Sequence, residues 1–328
     1  MDAVLTHAEA IVQIVELNDG RRRIDVEVTG GATYVHRKSC DTSYPIALIA
    51  KILEIKGPAY LCDEISRDED NSYIEPHLRT TLFAHVEPSE FVGKRLLDFG
   101  CGSGASTAIM ARLLPATSIV GIDLESDFLG IARARAAFYG LDTVRFELSK
   151  SGEQLPTALG NFDFIILPAV YEHLLPQERE RLMPQLWRHL NKDGVLFIDE
   201  TPHRWFPIES HTSSLPLVNY LPDPLAHRFV RTCSRRQLAD ATWPDLLRKG
   251  VRGASVREIM RMIPGGKAQS ELIKPRHLGA RSAVDVWCAG YAQSSAAKRA
   301  LGKMLKLLQA VTHAAPVPYL SLAIRKVA

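Results

Sequence analysis

The run Arg95-Leu96-Leu97-Asp98-Phe99-Gly100-Cys101-Gly102-Ser103-Gly104, followed downstream by Ile119-Val120-Gly121-Ile122-Asp123, restricts this chain more than any other feature. An apolar strand that breaks into closely spaced glycines at the mouth of a helix lets backbone approach a ligand. The second run reads as the next parallel strand, and its terminal carboxylate can accept two hydrogen bonds from ribose hydroxyls. Together they predict a nucleotide-binding crevice at the carboxyl ends of a doubly wound sheet.

Gly100, Gly102 and Ala105 also satisfy the alanine-tolerant dinucleotide fingerprint. Asp98 argues against a dinucleotide: two residues ahead of the first glycine, it would repel a pyrophosphate and attract the ammonium group of a methionine moiety. The run also follows a long N-terminal extension, whereas dinucleotide domains often open their chains. Downstream, Phe162-Asp163-Phe164-Ile165-Ile166-Leu167-Pro168-Ala169-Val170-Tyr171-Glu172-His173 and Asp193-Gly194-Val195-Leu196-Phe197-Ile198 supply a fourth and a fifth strand in order.

On these four motifs, over residues 93 to 200, the chain resembles the class I S-adenosylmethionine-dependent methyltransferases. The resemblance implies a doubly wound α/β sheet, mostly parallel with an antiparallel last strand, and S-adenosylmethionine as cofactor. It implies that Asp98, Gly100, Gly102 and Gly104 line the methionine side and that Asp123 holds the ribose. Phe99, Cys101, Leu124, Ser151, Gly152 and Pro168 complete the expected cofactor contacts. One departure stands out: the family usually has an Asp beside the adenine, and here Ser151 takes that place.

Length and composition agree. A chain of 328 residues that is 46% hydrophobic can bury one large core or two unequal ones. A net charge of +3 gives no argument for nucleic acid as a partner. No apolar run approaches the roughly 20 residues needed to span a membrane, and the N-terminus lacks a basic-then-apolar leader pattern. The expected location is therefore cytoplasmic, without stable membrane insertion. The five cysteines show no close pairing, which disfavours disulfides and a thiolate zinc site.

Three regions differ in texture. Residues 1–90 form an N-terminal extension that opens with period-two alternation on both sides of Asp19-Gly20, a hairpin signal. A helical stripe follows just behind Pro45, and the acidic run from Cys62 to Asp70 reads as a solvated loop before another helix near 74–86. This extension is expected to supply substrate or homodimer contacts. Residues 91–328 form the methyltransferase domain, with an inserted substrate loop near 200–290. Pro184 is expected to kink or delay the helix between Glu178 and Leu190. Residues 296–311 read as an amphipathic surface helix, and 318–326 as the antiparallel last strand.

Glu200-Thr201-Pro202-His203-Arg204-Trp205-Phe206-Pro207-Ile208-Glu209-Ser210-His211 leaves a strand's carboxyl end, where ligands of open α/β sheets bind. Its polar groups and indole suit a polyhydroxylated ligand, so His203, Arg204 and Trp205, with Glu64 upstream, are the candidate substrate contacts. An internally bonded turn is the competing reading. Methyl transfer to a hydroxyl gains about 10²- to 10⁴-fold from a general base. His173 and His211 are the candidates, with Glu209 orienting one of them or holding a substrate hydroxyl. Packing roles compete at each position, and Glu172 can cap the following helix. A divalent metal recruited by Asp199 and Glu200 is a further option.

The segments Thr201–Pro222 and 57–64 resemble bacterial methyltransferases of polysaccharide and glycolipid modification, including those of methylated mannose polysaccharides. That resemblance implies O-methylation of a sugar or oligosaccharide hydroxyl. Methylation of a small polyketide- or aromatic-type natural product, a catalytically silent cofactor-binding protein and an NAD-dependent oxidoreductase remain the alternatives.

Overall fold

Alternating polarity organises the N-terminal region of the computed structural model, which describes residues 2–29, 35–291, 295–312 and 317–327. Strands β1 (Ala3–His7), β2 (Ala10–Glu16), β3 (Arg22–Val28) and β4 (Ser39–Thr42) form an antiparallel sheet in that order. Ile14 pairs with Ile24 across the Asp19-Gly20 turn, so the hairpin lies where alternation predicts it. Ala10, Val12 and Ile14 alternate with exposed residues along β2, and Val12, Ile14 and Ile24 pack against helix α1 (Ile46–Lys56). The acidic run is corrected: it is helix α2 (Leu61–Glu69), with Leu61, Cys62, Glu64, Ile65, Ser66 and Asp68 buried. Its carboxylates are tolerated inside because Arg135 reaches them from a neighbouring helix, as buried charges require.

Helix α3 (Glu75–Phe83) leads to the central sheet. Strands β5 (Arg95–Phe99), β6 (Ser118–Asp123), β7 (Val144–Leu148) and β8 (Phe162–Pro168) alternate with helices α4 (Ala105–Leu113) and α5 (Ser126–Phe138). After β8 come α6 (Pro176–His189) and the long β9 (Leu190–Pro202). Helix α6 is continuous through Pro184, because burial of Leu182, Met183, Leu186 and Trp187 on either side outweighs a proline cost of about 3 kcal/mol.

The loop beyond β9 contains the short pair β10 (Ile208–Glu209) and β11 (Leu215–Pro216), then α7 (Asp223–Cys233), α8 (Trp243–Arg248) and α9 (Val256–Met262). Val218, Val230, Leu246 and Val251 give this insertion a small core of its own. Strand β12 (Ser270–Ile273), helices α10 (Ala283–Tyr291) and α11 (Ala296–Thr312), and β13 (Tyr319–Lys326) close the chain.

Among the described residues, the central sheet has seven strands in the order β12-β13-β9-β8-β5-β6-β7. The five from β9 to β7 are parallel, and β13 is antiparallel to β9, the expected doubly wound class I methyltransferase arrangement. β12 flanks β13 and takes the edge position. Strand order reverses at β5, which puts the crevice at its carboxyl end. Among the described residues, no helix is long and apolar enough to cross a membrane.

Candidate functional site

The turn after β5 is built for close approach. Gly100, Gly102 and Gly104 have φ of 75°, 54° and 80°, a left-handed region where side chains are strained. A Cβ on Gly104 would lie 2.7 Å from the Ala132 Cβ, and one on Gly100 would lie 2.6 Å from the Val170 Cγ2. Gly102 faces open space, leaving its backbone accessible. Asp123, at the end of β6, locks the turn by accepting the Gly102 N–H at 2.7 Å and the Glu125 N–H at 3.0 Å.

Two adjoining lobes flank this turn and share Gly100, Phe128 and Ala169. The first, about 570 Å³, is polar: Lys56, Tyr60, Asp63, Glu64, Arg67, Ser103 and Ser106 line it with Cys101, Gly102 and Pro168. The second, about 490 Å³, carries Phe99, Asp123, Leu124, Ser151, Gly152, Val170, His173 and Leu174. Both volumes fall in the range of small-molecule sites. Ala169, at φ 53°, donates its N–H to the Asp199 carbonyl and holds the floor between them in a sparsely populated conformation.

Asp98 requires a correction. Its carboxyl is fully buried behind the turn, accepts the Thr107 hydroxyl at 2.6 Å, and is absent from the wall of either lobe. Burial pushes it up to about 7. The acids that face the first lobe are Asp63 and Glu64, both from α2. Glu64 accepts the Ser103 hydroxyl, so it belongs to the glycine turn rather than to a remote acceptor pocket.

The predicted substrate loop divides. His203, Arg204 and Trp205 line neither lobe. β9 carries them past the sheet, where the His203 N–H bonds the Pro318 carbonyl and the Arg204 N–H bonds the Ala254 carbonyl. Glu209 is likewise corrected: it is 2% exposed and accepts the N–H groups of His211, Thr212 and Ser213 and the Ser213 hydroxyl. The internally bonded turn describes it, and its oxygens orient no histidine.

His211 is nevertheless brought to His173, their rings 5.4 Å apart. The His173 Nδ1 lies 2.8 Å from the Arg248 carbonyl, and burial holds both rings below the ordinary histidine value, His211 at about 4. Glu172, fully buried, does not cap a helix; Glu178 performs that role by accepting the Leu175 N–H. Burial pushes Glu172 up to about 8, and its Oε1 has no protein hydrogen-bond partner.

Sequence reasoning missed Lys56, Asp63 and Arg67, although Leu61 and Ile65 at helical spacing mark α2. It also missed His77, whose Nε2 lies 2.7 Å from Asp199 Oδ2 at the carboxyl end of β9. Burial favours the neutral ring there, but Asp199 and Glu200 outweigh it and push His77 up to about 9. Asp199 also accepts the Ser321 hydroxyl at 2.7 Å, so it is an ion-pair partner within the fold.

Residues 96–194 match the methyltransferase domain family, from the first strand of this crevice into β9. That match spans under a third of the chain, whose central sheet has the class I methyltransferase arrangement. The chain's cofactor is S-adenosylmethionine, and the backbone cradle at Gly102 with the acids beside it fits that molecule. Phthiotriol/phenolphthiotriol dimycocerosates methyltransferase 1 of Mycobacterium ulcerans is 27% identical over 257 residues, 72% of this chain and 89% of that protein. The mitochondrial ubiquinone biosynthesis O-methyltransferase of Saccharomyces cerevisiae is 29% identical over 143 residues, 43% of this chain and 41% of that protein. Other curated relatives are also spanned over about half their length or less. Among solved structures, PKMT2 of Rickettsia typhi in complex with AdoHcy aligns with a TM-score of 0.44 at 16% identity, covering 78% of this chain and 53% of that one.

The Asp123→Ala variant of this methyltransferase domain is expected to bind S-adenosylhomocysteine about 10- to 100-fold more weakly, the loss that charge-assisted hydrogen bonds of about 1.5–3 kcal/mol produce. Isothermal titration checks this, and unchanged affinity would remove Asp123 from the cofactor site.

Proposed function

We propose that the protein transfers a methyl group from S-adenosylmethionine to a hydroxyl of a sugar or oligosaccharide. The observation that carries this reading is the lining of the first lobe, where Lys56, Arg67 and Ser106 set cationic and hydroxyl groups beside the aromatic face of Tyr60. Such walls suit ligands with many hydroxyls, whereas an aromatic natural product calls for apolar ones.

In this reading Asp123, Leu124, Ser151 and Gly152 hold the nucleoside, and the backbone at Gly102 with Asp63 and Glu64 holds the amino-acid end, which leaves Lys56, Tyr60, Arg67 and Ser106 of the first lobe to the acceptor. The cofactor supplies an electrophilic methyl group on a cationic sulfur. Pro168 and Ala169 set the junction at which an acceptor oxygen is held in line, at roughly 3–3.5 Å, so positioning supplies much of the rate. The oxygen forms its bond to the methyl carbon as the carbon–sulfur bond breaks, its electron pair staying on sulfur. The hydroxyl proton passes to a neutral ring of the adjacent His173 and His211, of which His173 lines the second lobe, and from there to solvent.

The test is turnover of labelled S-adenosylmethionine against a panel of oligosaccharides, phthiotriol-type acceptors and aromatic phenols. Transfer to saccharides is expected. Transfer confined to phthiotriol-type acceptors would replace this reading with one drawn from the mycobacterial relative. Cofactor binding without transfer to any acceptor would sink the enzymatic reading.

A further inference from the structure

We infer that Glu172, His173 and His211 form a binding site for a divalent first-row transition-metal ion. One donor atom from each lies within 4.8 Å of the other two, and His173 Nε2 is 3.8 Å from Glu172 Oε1. Oε1 is buried and has no protein hydrogen-bond partner, an expensive state for a carboxylate oxygen that metal coordination would relieve.

The surroundings are those of a ligand set. Nδ1 of His173 sits 2.8 Å from the Arg248 carbonyl, and donation to that carbonyl fixes the tautomer that leaves the Nε2 lone pair toward Glu172. The Thr201 hydroxyl lies 3.4 Å from the second oxygen of Glu172 and orients the carboxylate. Behind the group the backbone closes in. A Cβ on Gly250, where φ is +88°, would come within 2.8 Å of His211 Cδ2 and 3.2 Å of Glu172 Cγ. Only glycine lets this wall stand so near.

Two imidazoles and one carboxylate favour zinc, cobalt or iron over magnesium, which prefers oxygen ligands. A tetrahedral ion with bonds of about 2 Å sets its ligands about 3.3 Å apart, so binding draws the three side chains inward by about 1 Å. Three protein ligands leave one position open, and His173, which lines the second lobe, directs that position toward the cleft. There an ion lowers the pKa of an acceptor hydroxyl enough for its proton to leave to solvent, and so takes over from the two histidines as the activating group. Metal binding itself does not depend on the acceptor proposed above; only the catalytic use of the ion does.

Cobalt(II) added to the untagged 328-residue chain tests the site directly. One equivalent is expected to bind with visible ligand-field bands of a low-coordinate nitrogen and oxygen site. Affinity should fall by at least the roughly 10- to 100-fold that accompanies loss of an outer-shell partner in the Glu172→Gln and His211→Ala variants. Retained S-adenosylhomocysteine binding by His211→Ala shows that the fold survives. Absence of saturable binding, or binding of equal strength in both variants, overturns the proposal. If the ion binds but chelator leaves saccharide methylation unchanged, the site stands and its catalytic use does not.

Discussion

Arg135→Met is expected to lower the unfolding free energy by about 3–5 kcal/mol, the cost of removing one partner from a buried ionic group. Arg135 has no exposed surface. Its guanidinium contacts the Tyr44 hydroxyl at 2.7 Å, Glu64 Oε1 at 3.1 Å and Asp68 Oδ1 at 3.3 Å, and donates to the Ser103 carbonyl. Methionine fills much of the volume but leaves two buried carboxylates without their closest cation. Lys56 and Arg112 stand farther off, at 4.0 Å from Glu64 and 3.9 Å from Asp68. Because Ser103 and Glu64 line the first lobe beside the glycine turn, S-adenosylhomocysteine affinity should fall as well. Urea denaturation with and without that ligand measures both effects. A loss below about 1 kcal/mol would mean that the network contributes little beyond its packing.

His77→Ala is the second large expected effect. Asp199, fully buried, would lose its cation at a cost of about 3–5 kcal/mol near neutral pH. The sign with pH follows from the raised value of His77. Its contribution is complete below the ordinary histidine value of 6.5 and disappears as pH rises through about 9. That shift corresponds to about 3 kcal/mol. The gap in stability between the native chain and the variant should therefore narrow from pH 7 to pH 10. A gap that stays constant across this window would show that the pair is not charged in the folded protein.

The sheet was legible because its signals are local. Each of β5, β6, β8 and β9 is an apolar run bounded by a turn, and three glycines mark where the first of them opens. Asp123 could be placed because a strand end fixes where its side chain lies. Asp98 was misread because charge in a sequence carries no information on which side of a turn a side chain falls; Thr107, nine residues on, decides it. The same holds for the acids of α2, which read as solvated until Arg135, far along the chain, is placed among them. Glu209 shows the converse. A glutamate followed by His, Thr and Ser looks like site chemistry, yet three successive N–H groups and one hydroxyl consume its oxygens. Long-range partners decide between such readings, and their sequence separation hides them.

The way α5 meets the N-terminal region has a consequence for how this chain can vary. Ile131 packs among Ile49, Ile52 and Ile65, and one turn later Arg135 discharges its positive charge into α2. A polypeptide begun near residue 91 would keep the glycine turn in its covalent sequence but present a bare cation and a greasy helix face to water. The boundary near residue 90 is thus a seam in the text of the protein and not in its energetics, so the leading segment cannot be exchanged among relatives unless α5 is rewritten with it.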